Sequence, residues 1–443
     1  MRTPVSQEGM TQRDRQILHI ALPSIVSNIT VPLLGLIDVT ITGHLGRASY
    51  IAAIAVGGML FNIIYWMFAF LRMGTSGQTA QAYGARRLDE ALQHLLRSCL
   101  IATVLAFLLL ALQVPVRELA LTLIAPDEEV AHLARTYFNI CIWGSLPSLL
   151  LFALSGGYVG MQNTRIPMVV AVVQNVANIL LSLMMVYGLG MKIEGVACGT
   201  VLAQYAGLLV ALALFVRYYL PRLRSHLRWQ GVLAREAMLR FFSLNRDIFL
   251  RTLCLIFVHF FFIAAGARFG STVLAVNALL MQLFTLYSYF MDGFAYAGEA
   301  LAGKAIGAGN AVLFRQTVSR LFGWGAAMVV LFTLCYAVAG LPFLSLLTDN
   351  AEVLLEVQHY WGWVLLFPLC GMAAFIWDGI FIGATMTRSM LLSVLGGMLL
   401  FVALYYALVP VLSAHALWLA FVSYLAARGL IASWCQWRYR CFP

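Results

Sequence analysis

The sequence predicts an all-α polytopic membrane protein with twelve transmembrane helices in two six-helix lobes. Three observations support this fold class: an apolar composition, twelve apolar runs long enough to cross a bilayer, and an internal repeat. Hydrophobic residues make up 62% of the 443 residues and charged residues 10%, with a mean hydropathy of +0.88. Soluble domains carry about a quarter charged residues, so lipid rather than water is the expected solvent.

Polar breaks separate the twelve apolar runs, and each run approaches the roughly 20 residues that a bilayer requires. The predicted spans are 17–41, 51–73, 92–114, 133–158, 166–189, 195–219, 248–267, 274–297, 317–341, 359–383, 390–411 and 415–436. The longest polar stretch, from Arg217 to Asp247, divides the chain in two. The predicted organisation is an N-terminus over 1–16, an N-lobe over 17–219, a linker over 220–247, a C-lobe over 248–436 and a C-terminus over 437–443.

The basic residues predict the orientation of the chain, whose net charge is +10. Alternate loops and both termini carry most of the Lys and Arg, whereas the intervening loops near 127–129 and 349–356 are acidic. By the positive-inside rule, both termini, the linker and the basic loops face the cytoplasm. Because these residues lie between apolar runs and not on a soluble surface, they do not indicate a nucleic-acid partner.

The two halves resemble each other at a constant shift of 223 residues. The paired segments include Ile51-Ala52 with Leu274-Ala275, Gly84-Ala85 with Gly307-Ala308, and Thr164-Arg165 with Thr387-Arg388. An even number of spans separates equivalent positions, so both halves cross the membrane in the same direction. Parallel repeats of this kind are typical of transporters that open alternately to the two sides of a membrane.

Acidic residues within spans cost about 2.5 to 3.5 kcal/mol at a helix centre and are therefore candidates for function. The first is Asp38, six residues after Pro32 in the first span. A proline cannot donate the helical hydrogen bond, so the helix is expected to bend beside the acid. The alternative is that Asp38 lies in water at the outer end of the span and has no role.

The fifth and eighth spans carry further polar residues. Asn175 and Asn178 share a helical face, with Ser182 one turn beyond Asn178, and they either line a cavity or hold helices together. Asp292 and Glu299 lie seven residues apart on one stripe of the eighth span.

Asp378 in the tenth span completes the set of acids, which form a candidate cation or substrate site in the C-lobe. Lys304 and Arg268 could instead neutralise the acids of the eighth span in structural ion pairs. For Glu299, which lies near the cytoplasmic end of the eighth span, such a structural ion pair is the favoured interpretation.

Motifs for nucleotide binding, phosphoryl transfer, hydrolysis and zinc proteolysis are absent from the sequence. Neither the cysteines nor the histidines have metal-ligand spacing. We therefore expect no enzyme activity, no cofactor and no metal, and uphill transport would need an ion gradient.

Taken together, several segments resemble the multidrug and toxic compound extrusion (MATE) family over nearly the whole chain. These segments are A21-L-P-S-I-V-S-N-I-T-V-P-L-L-G-L-I-D38, T75-S-G-Q-T-A-Q-A-Y-G-A85, L244-N-R-D-I248, D292-G-F-A-Y-A-G-E299 and W377-D-G-I-F-I-G-A384. The resemblance implies a twelve-helix antiporter of the bacterial inner membrane. It would export cationic or amphipathic drugs against an inward flow of protons or sodium.

The resemblance also implies roles for individual residues. In similar proteins the acid at Asp38 couples transport to protons, and its protonation accompanies bending at the proline that corresponds to Pro32. Asn175, Asn178 and Thr200 match positions of the cavity in the N-lobe. Expected partners are small amphipathic or cationic drugs and the lipid bilayer, with the chain acting as a monomer and without nucleic acid.

One departure from the family bears on the coupling ion: Ser182 stands where relatives often carry an acid. A proton needs one carboxylate, whereas a sodium site gains from several anionic oxygens, so protons are favoured. Asp378 matches an acid of sodium-coupled relatives, so sodium is the alternative coupling ion.

Two other functions make different demands on the sequence. A lipid-linked precursor flippase of the same superfamily should have a strongly basic cavity, yet Arg72 is the main basic exception to the acidic spans. A membrane enzyme such as an acyltransferase would need a His or Cys constellation at a membrane face, and the sequence has none.

Overall fold

The structure, a computed structural model, describes residues 5–43, 47–223, 231–345, 348 and 350–439. Parts of all five predicted segments lie outside this range: residues 1–4 of the N-terminus, 44–46 of the N-lobe, 224–230 of the linker, 346, 347 and 349 of the C-lobe, and 440–443 of the C-terminus. The described backbone is α-helical apart from short connections, a 3-10 turn at Ile142–Gly144 and a π-helical turn at Met184–Gly188, and it contains no strand. The predicted all-α fold class is confirmed.

The helices are numbered in chain order. They are α1 Val5–Gly43, α2 Ala48–Phe68, α3 Phe70–Gly84, α4 Leu88–Ala111, α5 Gln113–Ile124, α6 Glu128–Cys141, α7 Ser145–Gly160, α8 Arg165–Leu183, α9 Ile193–Tyr218, α10 Leu220–Leu223, α11 Arg235–Ala267, α12 Ser271–Gly307, α13 Ala311–Ser345, α14 Ala351–Gly383, α15 Thr387–Leu412 and α16 Ala414–Tyr439.

Eleven helical stretches among the described residues are long and apolar enough to cross a membrane. They correspond in order to the second to twelfth predicted spans, with α2 and α3, α6 and α7, and α8 and the π turn each forming one stretch. The first predicted span, 17–41, lies within α1. The chain is therefore a multi-pass membrane protein, as the sequence predicts, with eleven candidate spans among the described residues and the first predicted span inside α1.

Several helices extend beyond the apolar runs. Helix α11 begins at Arg235, so the second part of the predicted linker, 235–247, is helical. Helix α12 likewise continues to Gly307, beyond the predicted end at 297. Hydropathy falls where side chains become polar, but backbone hydrogen bonding continues, so hydropathy marks the apolar part of a helix and not its ends.

The chain forms two compact units. The N-unit is Val26–Phe241, and the C-unit is Met1–Ile25 together with Phe242–Pro443. The lobe boundaries predicted from the polar breaks differ from this division because the first part of α1 belongs to the C-unit. Within the C-unit, Trp324 Nε1 of α13 donates a hydrogen bond of 3.1 Å to Asp14 Oδ1 of α1.

The 223-residue repeat is visible in the local geometry of each unit. Turns with positive φ occur at equivalent positions, namely Arg86 and Gly309, Gln162 and Thr385, and Gly190 and Ser413. A loop hydrogen bond also recurs. Ser49 Oγ donates to Glu129 Oε1 at 2.9 Å in the N-unit, and Thr272 Oγ1 donates to Glu352 Oε1 at 3.0 Å in the C-unit. The two halves therefore share turns and contacts as well as helix order.

Glycines four residues apart allow two helices of each unit to approach closely. In the C-unit, a Cβ added at Gly379 of α14 would overlap the carbonyl oxygen of Ala295 of α12, and one at Gly383 would overlap that of Glu299. In the N-unit, a Cβ added at Gly160 of α7 would lie 2.7 Å from the carbonyl oxygen of Ser76 of α3. Small residues at such spacing are typical of close helix contacts in membranes.

Replacing Gly379 by alanine tests this contact. Gly379→Ala should lower the thermal unfolding midpoint of the purified protein, since the added methyl group meets a backbone carbonyl and overpacking costs about 1 to 3 kcal/mol. Gly362→Ala in the same helix is the matched control, because nothing lies within 4 Å of its added Cβ. That variant should leave the midpoint unchanged or raise it slightly. Equal midpoints for the two variants would contradict the close approach.

Candidate functional site

The N-unit contains a buried polar cluster formed by Asp38 of α1, Asn178 of α8 and Thr200 of α9. Asn178 Nδ2 donates a hydrogen bond of 2.9 Å to Thr200 Oγ1, which itself donates to the carbonyl of Val196 at 3.0 Å. The Thr200 hydroxyl also contacts the Asp38 carboxyl group. A hydroxyl has one proton, so Asp38 and the Val196 carbonyl compete for it.

This cluster is only partly satisfied by its neighbours. Asp38 is 6% exposed and Asn178 is fully buried. Among the described residues, Asp38 Oδ1, Asn178 Oδ1 and Ser182 Oγ have no hydrogen-bond partner. Buried polar atoms without partners are costly, and in native proteins they are most often explained by a bound water, an ion, a ligand or a functional role. The cluster thus has unused acceptors at a buried acid.

Ser182 lies one helical turn from Asn178, at a close approach of α8 and α9. A Cβ added at Gly199, the residue before Thr200, would overlap the Ser182 hydroxyl. The π turn Met184–Gly188 begins two residues later. Single π turns within helices occur frequently at functional sites. The structure therefore places Ser182 against Gly199, beside the cluster.

Asn175 connects α8 to the proline-containing part of α1. Its Nδ2 donates a hydrogen bond of 3.1 Å to the carbonyl oxygen of Thr30, two residues before Pro32. Helix α1 is continuous through Pro32, whose ring is exposed. The proline cannot donate to the carbonyl of Asn28. The part of α1 around Pro32 is thus held in place partly by a side chain of α8.

Two residues that the sequence did not suggest complete the surroundings of Asp38. Tyr137 and Cys141 of α6 are buried and lie close enough to interact electrostatically with its carboxyl group. They are four residues apart and share one face of α6. Their spacing is also that of ordinary packing residues, so the sequence alone could not separate them from the rest of the helix.

In the C-unit, Asp378 of α14 is bonded to two arginines. Arg428 Nη2 of α16 donates to Asp378 Oδ2 at 2.6 Å, and Arg251 Nη2 of α11 donates to the same oxygen. All three residues are buried. The pair of guanidinium groups argues against a cation site at Asp378, because the local charge is positive. It also corrects the expectation that Arg72 is the main basic residue of the spans.

Asp292 and Glu299, the other acids of the predicted C-lobe site, lie on α12. Glu299 is buried, Asp292 is half-buried, and both make interactions with other groups. Seven residues along a helix correspond to about 10 Å, so the two carboxyl groups lie on different turns. Within the described ranges, no group of three or more His, Cys, Asp or Glu residues could hold a metal ion. The three acids are therefore not gathered into one ion site.

Two repeated six-helix halves, each with a buried polar centre, define the architecture of a membrane transporter. The MatE family model matches residues 23–184 and 248–407, one stretch in each half. DNA damage-inducible protein F (DinF) of Escherichia coli is 39% identical over 95% of this chain and 91% of its own length. A probable multidrug resistance protein NorM of Photorhabdus laumondii is 23% identical over 86% of this chain and 84% of its own.

Solved structures agree with this fold. A crystal structure of the Vibrio cholerae MATE transporter VcmN in the bent form matches with a TM-score of 0.88 at 16% identity, covering 97% of each chain. A crystal structure of a MATE protein in the straight conformation matches with a TM-score of 0.83 at 18% identity, covering 96% of each. The chain belongs to the MatE family. It is accordingly a transporter and not an enzyme, and the expected resemblance to the MATE family is confirmed.

The Thr200 hydroxyl offers a direct test of the N-unit cluster. Thr200→Val removes the oxygen that accepts from Asn178 while keeping the side-chain shape, which leaves the Asn178 amide unpaired at a cost of about 1 to 3 kcal/mol. We expect a clear loss of transport turnover in proteoliposomes. Thr103→Val is the control, since the Thr103 hydroxyl bonds only to the carbonyl of Cys99 in its own helix among the bonds described. Equal turnover for the two variants would exclude a role for the Thr200 hydroxyl.

Proposed function

We propose that this chain is a secondary active multidrug efflux antiporter that exports cationic or amphipathic compounds in exchange for protons. It would act as a monomer in the bacterial inner membrane with both termini in the cytoplasm. The names of other relatives, among them a probable multidrug resistance protein and a multidrug and toxin extrusion protein, support this class of substrate. The observation that carries the proposal is a buried acid, Asp38, whose contacts are neutral groups.

The contacts of Asp38 suit a group that gains and loses a proton. None of the salt bridges between described residues involves Asp38, and Thr200 can act as donor or acceptor towards its carboxyl group. An ionised carboxylate without a cationic partner is costly to bury, so protonation changes the local free energy strongly. A cationic substrate can supply the missing positive charge in place of the proton. Proton and drug would then compete for one site.

Coupling further requires that protonation change the shape of the site. Asp38 and Pro32 lie on the same helix, and Asn175 bonds to the carbonyl of Thr30 just before the proline. In our scheme, uptake of a proton from the outside removes the charge of Asp38, α1 bends at Pro32, and the drug is released. Release of the proton to the cytoplasm then restores the carboxylate. Such exchange operates only if proton and drug bind the two states unequally.

Sodium coupling and lipid flipping are the remaining alternatives. The arginines beside Asp378 disfavour sodium in the C-unit, and Ser182 removes a second carboxylate from the N-unit. Arg251 and Arg428 make the C-unit more basic than the sequence suggested, but Asp378 neutralises one of them, so one positive charge is left. A flippase would have to bind a pyrophosphate group, which carries more negative charge than one cation can balance. Proton-coupled drug export is therefore the function that these residues favour.

Replacing the proposed proton carrier tests the scheme. In vesicles with an imposed proton gradient, Asp38→Asn should reduce drug-induced proton efflux by at least about tenfold, equivalent to about 1.4 kcal/mol, because the amide cannot exchange a proton. Asp127→Asn is the matched control: Asp127 is exposed and precedes α6, where asparagine serves equally well. Unchanged proton efflux in Asp38→Asn would contradict the proposal. Drug transport driven by a sodium gradient alone would identify sodium, and not the proton, as the coupling ion.

The hinge makes a separate prediction. Pro32→Ala restores the backbone donor for the carbonyl of Asn28, so α1 should become stiffer and the protein no less stable. We expect slower drug transport with an unchanged or higher thermal unfolding midpoint. Pro410→Ala in α15 is the control, because Pro410 is also an exposed proline within a helix. Normal transport by Pro32→Ala would show that bending at this position is not required.

A further inference from the structure

Arg251, Asp378 and Arg428 form a buried cluster, hereafter the arginine pair site, where α11, α14 and α16 meet. The side chains of Arg251 and Asp378 are 8% and 9% exposed, and that of Arg428 is 5% exposed. Both guanidinium groups donate to the same carboxylate oxygen, Asp378 Oδ2. Arg428 Nη1 also lies 3.5 Å from the Tyr424 hydroxyl, and Arg428 Cζ lies 5.3 Å from the centre of the Tyr424 ring.

The charges of this site do not balance. Two guanidinium groups face one carboxylate, which leaves one positive charge. The nearby acid Asp247 is engaged elsewhere, since it pairs with Arg246 at 3.0 Å and accepts a hydrogen bond of 3.2 Å from Thr387. An uncompensated charge buried in a membrane protein is expensive and is typical of functional groups.

Hydrogen-bond donors are also left over. Among the described residues, neither Arg251 Nε nor Arg428 Nε has an acceptor, although both residues are more than nine-tenths buried. A guanidinium group presents its donors in a planar fork that matches a carboxylate and binds weakly hydrated anions. The unused donors and the excess charge thus call for the same missing partner, which is an anion.

The fold itself does not require charges at these positions. At the 223-residue shift, Arg251, Asp378 and Arg428 correspond to Asn28, Ser155 and Tyr205 in the N-unit. The N-unit adopts the same helices and turns without any charged residue there. The arginine pair site is therefore an addition to the C-unit and not a requirement for packing six helices.

We propose that the arginine pair site binds a small monovalent anion, either the carboxylate group of an amphipathic compound or a halide. Arg251 and Arg428 hold the anion through their unused donors, with the Tyr424 hydroxyl at the edge of the site. Asp378 keeps the two guanidinium groups together and is a positioning residue. One negative charge neutralises the cluster, so a monovalent group fits and a pyrophosphate does not. The inference is independent of proton coupling at Asp38.

Ligand-dependent stabilisation of the whole purified protein tests the site. In low-salt buffer, sodium chloride and sodium benzoate are titrated separately while the thermal unfolding midpoint is measured. A specific site gives a rise that saturates with concentration, whereas general salt effects do not saturate in this way. We expect a saturable rise in the wild-type protein. A response to benzoate alone identifies an organic carboxylate, and a response to both salts identifies a site for monovalent anions in general.

Arg428→Gln separates binding from folding. It leaves Arg251 and Asp378 as a balanced pair, so the protein should fold, but the apparent affinity for the anion should fall at least about tenfold. Arg251→Gln leaves the opposite pair, Arg428 and Asp378, and makes the same test. It replaces Arg428→Gln if that variant does not yield folded protein. Arg315→Gln is the control, since Arg315 is exposed on α13 and lies outside the site.

Two outcomes would overturn the proposal. One is the absence of a saturable rise with either salt in the wild-type protein. The other is an equal rise in the wild type, Arg428→Gln and Arg315→Gln, which would mark the arginines as a purely structural network.

Discussion

A charge buried within a membrane-spanning helix bundle must be balanced or bonded by the protein, because the bilayer offers no water to do it. The two units of this chain meet that constraint in opposite ways. In the N-unit, the carboxyl group of Asp38 contacts the Thr200 hydroxyl and lies within electrostatic range of two neutral side chains, those of Tyr137 and Cys141. In the C-unit, Asp378 is bonded to two cations. The same residue type is thus left without a counter-ion in one unit and given two in the other.

The internal repeat shows how far the units have diverged around a shared backbone. Asp38 and Asn178 correspond to Phe261 and Phe401 in the C-unit, and the rings of these phenylalanines pack edge to face with centroids 5.4 Å apart. A polar contact and an aromatic contact therefore occupy equivalent places. The shared turns and glycine contacts keep the helices in position, so the side chains between them can change. Duplication has in this way given one fold two chemically different interiors.

The sequence predicted those features that depend on local pattern. Apolar runs identified every spanning helix, and the face shared by Asn175, Asn178 and Ser182 follows from helical periodicity. It did not predict the arginine pair site, because Arg251 is only the fourth residue of the predicted span 248–267 and follows directly on the basic linker, where a basic residue is expected at a helix end. Arg428 is isolated in its apolar helix, and its partner lies 50 residues away in the chain. The division of α1 after Ile25 was also missed, since hydropathy is continuous across that point.

The contrast between the two acids also limits which of them can couple transport to protons. Neutralising Asp378 would leave Arg251 and Arg428 side by side without their shared carboxylate, and breaking a buried pair in this way costs several kcal/mol. Neutralising Asp38 removes a buried charge that has no cationic partner, while Thr200 and Asn178 can remain bonded to each other. Only the second change is cheap enough to recur in every cycle. Because Ser182 supplies no second carboxylate, Asp38 is the acid of the N-unit cluster on which our proposed proton exchange depends.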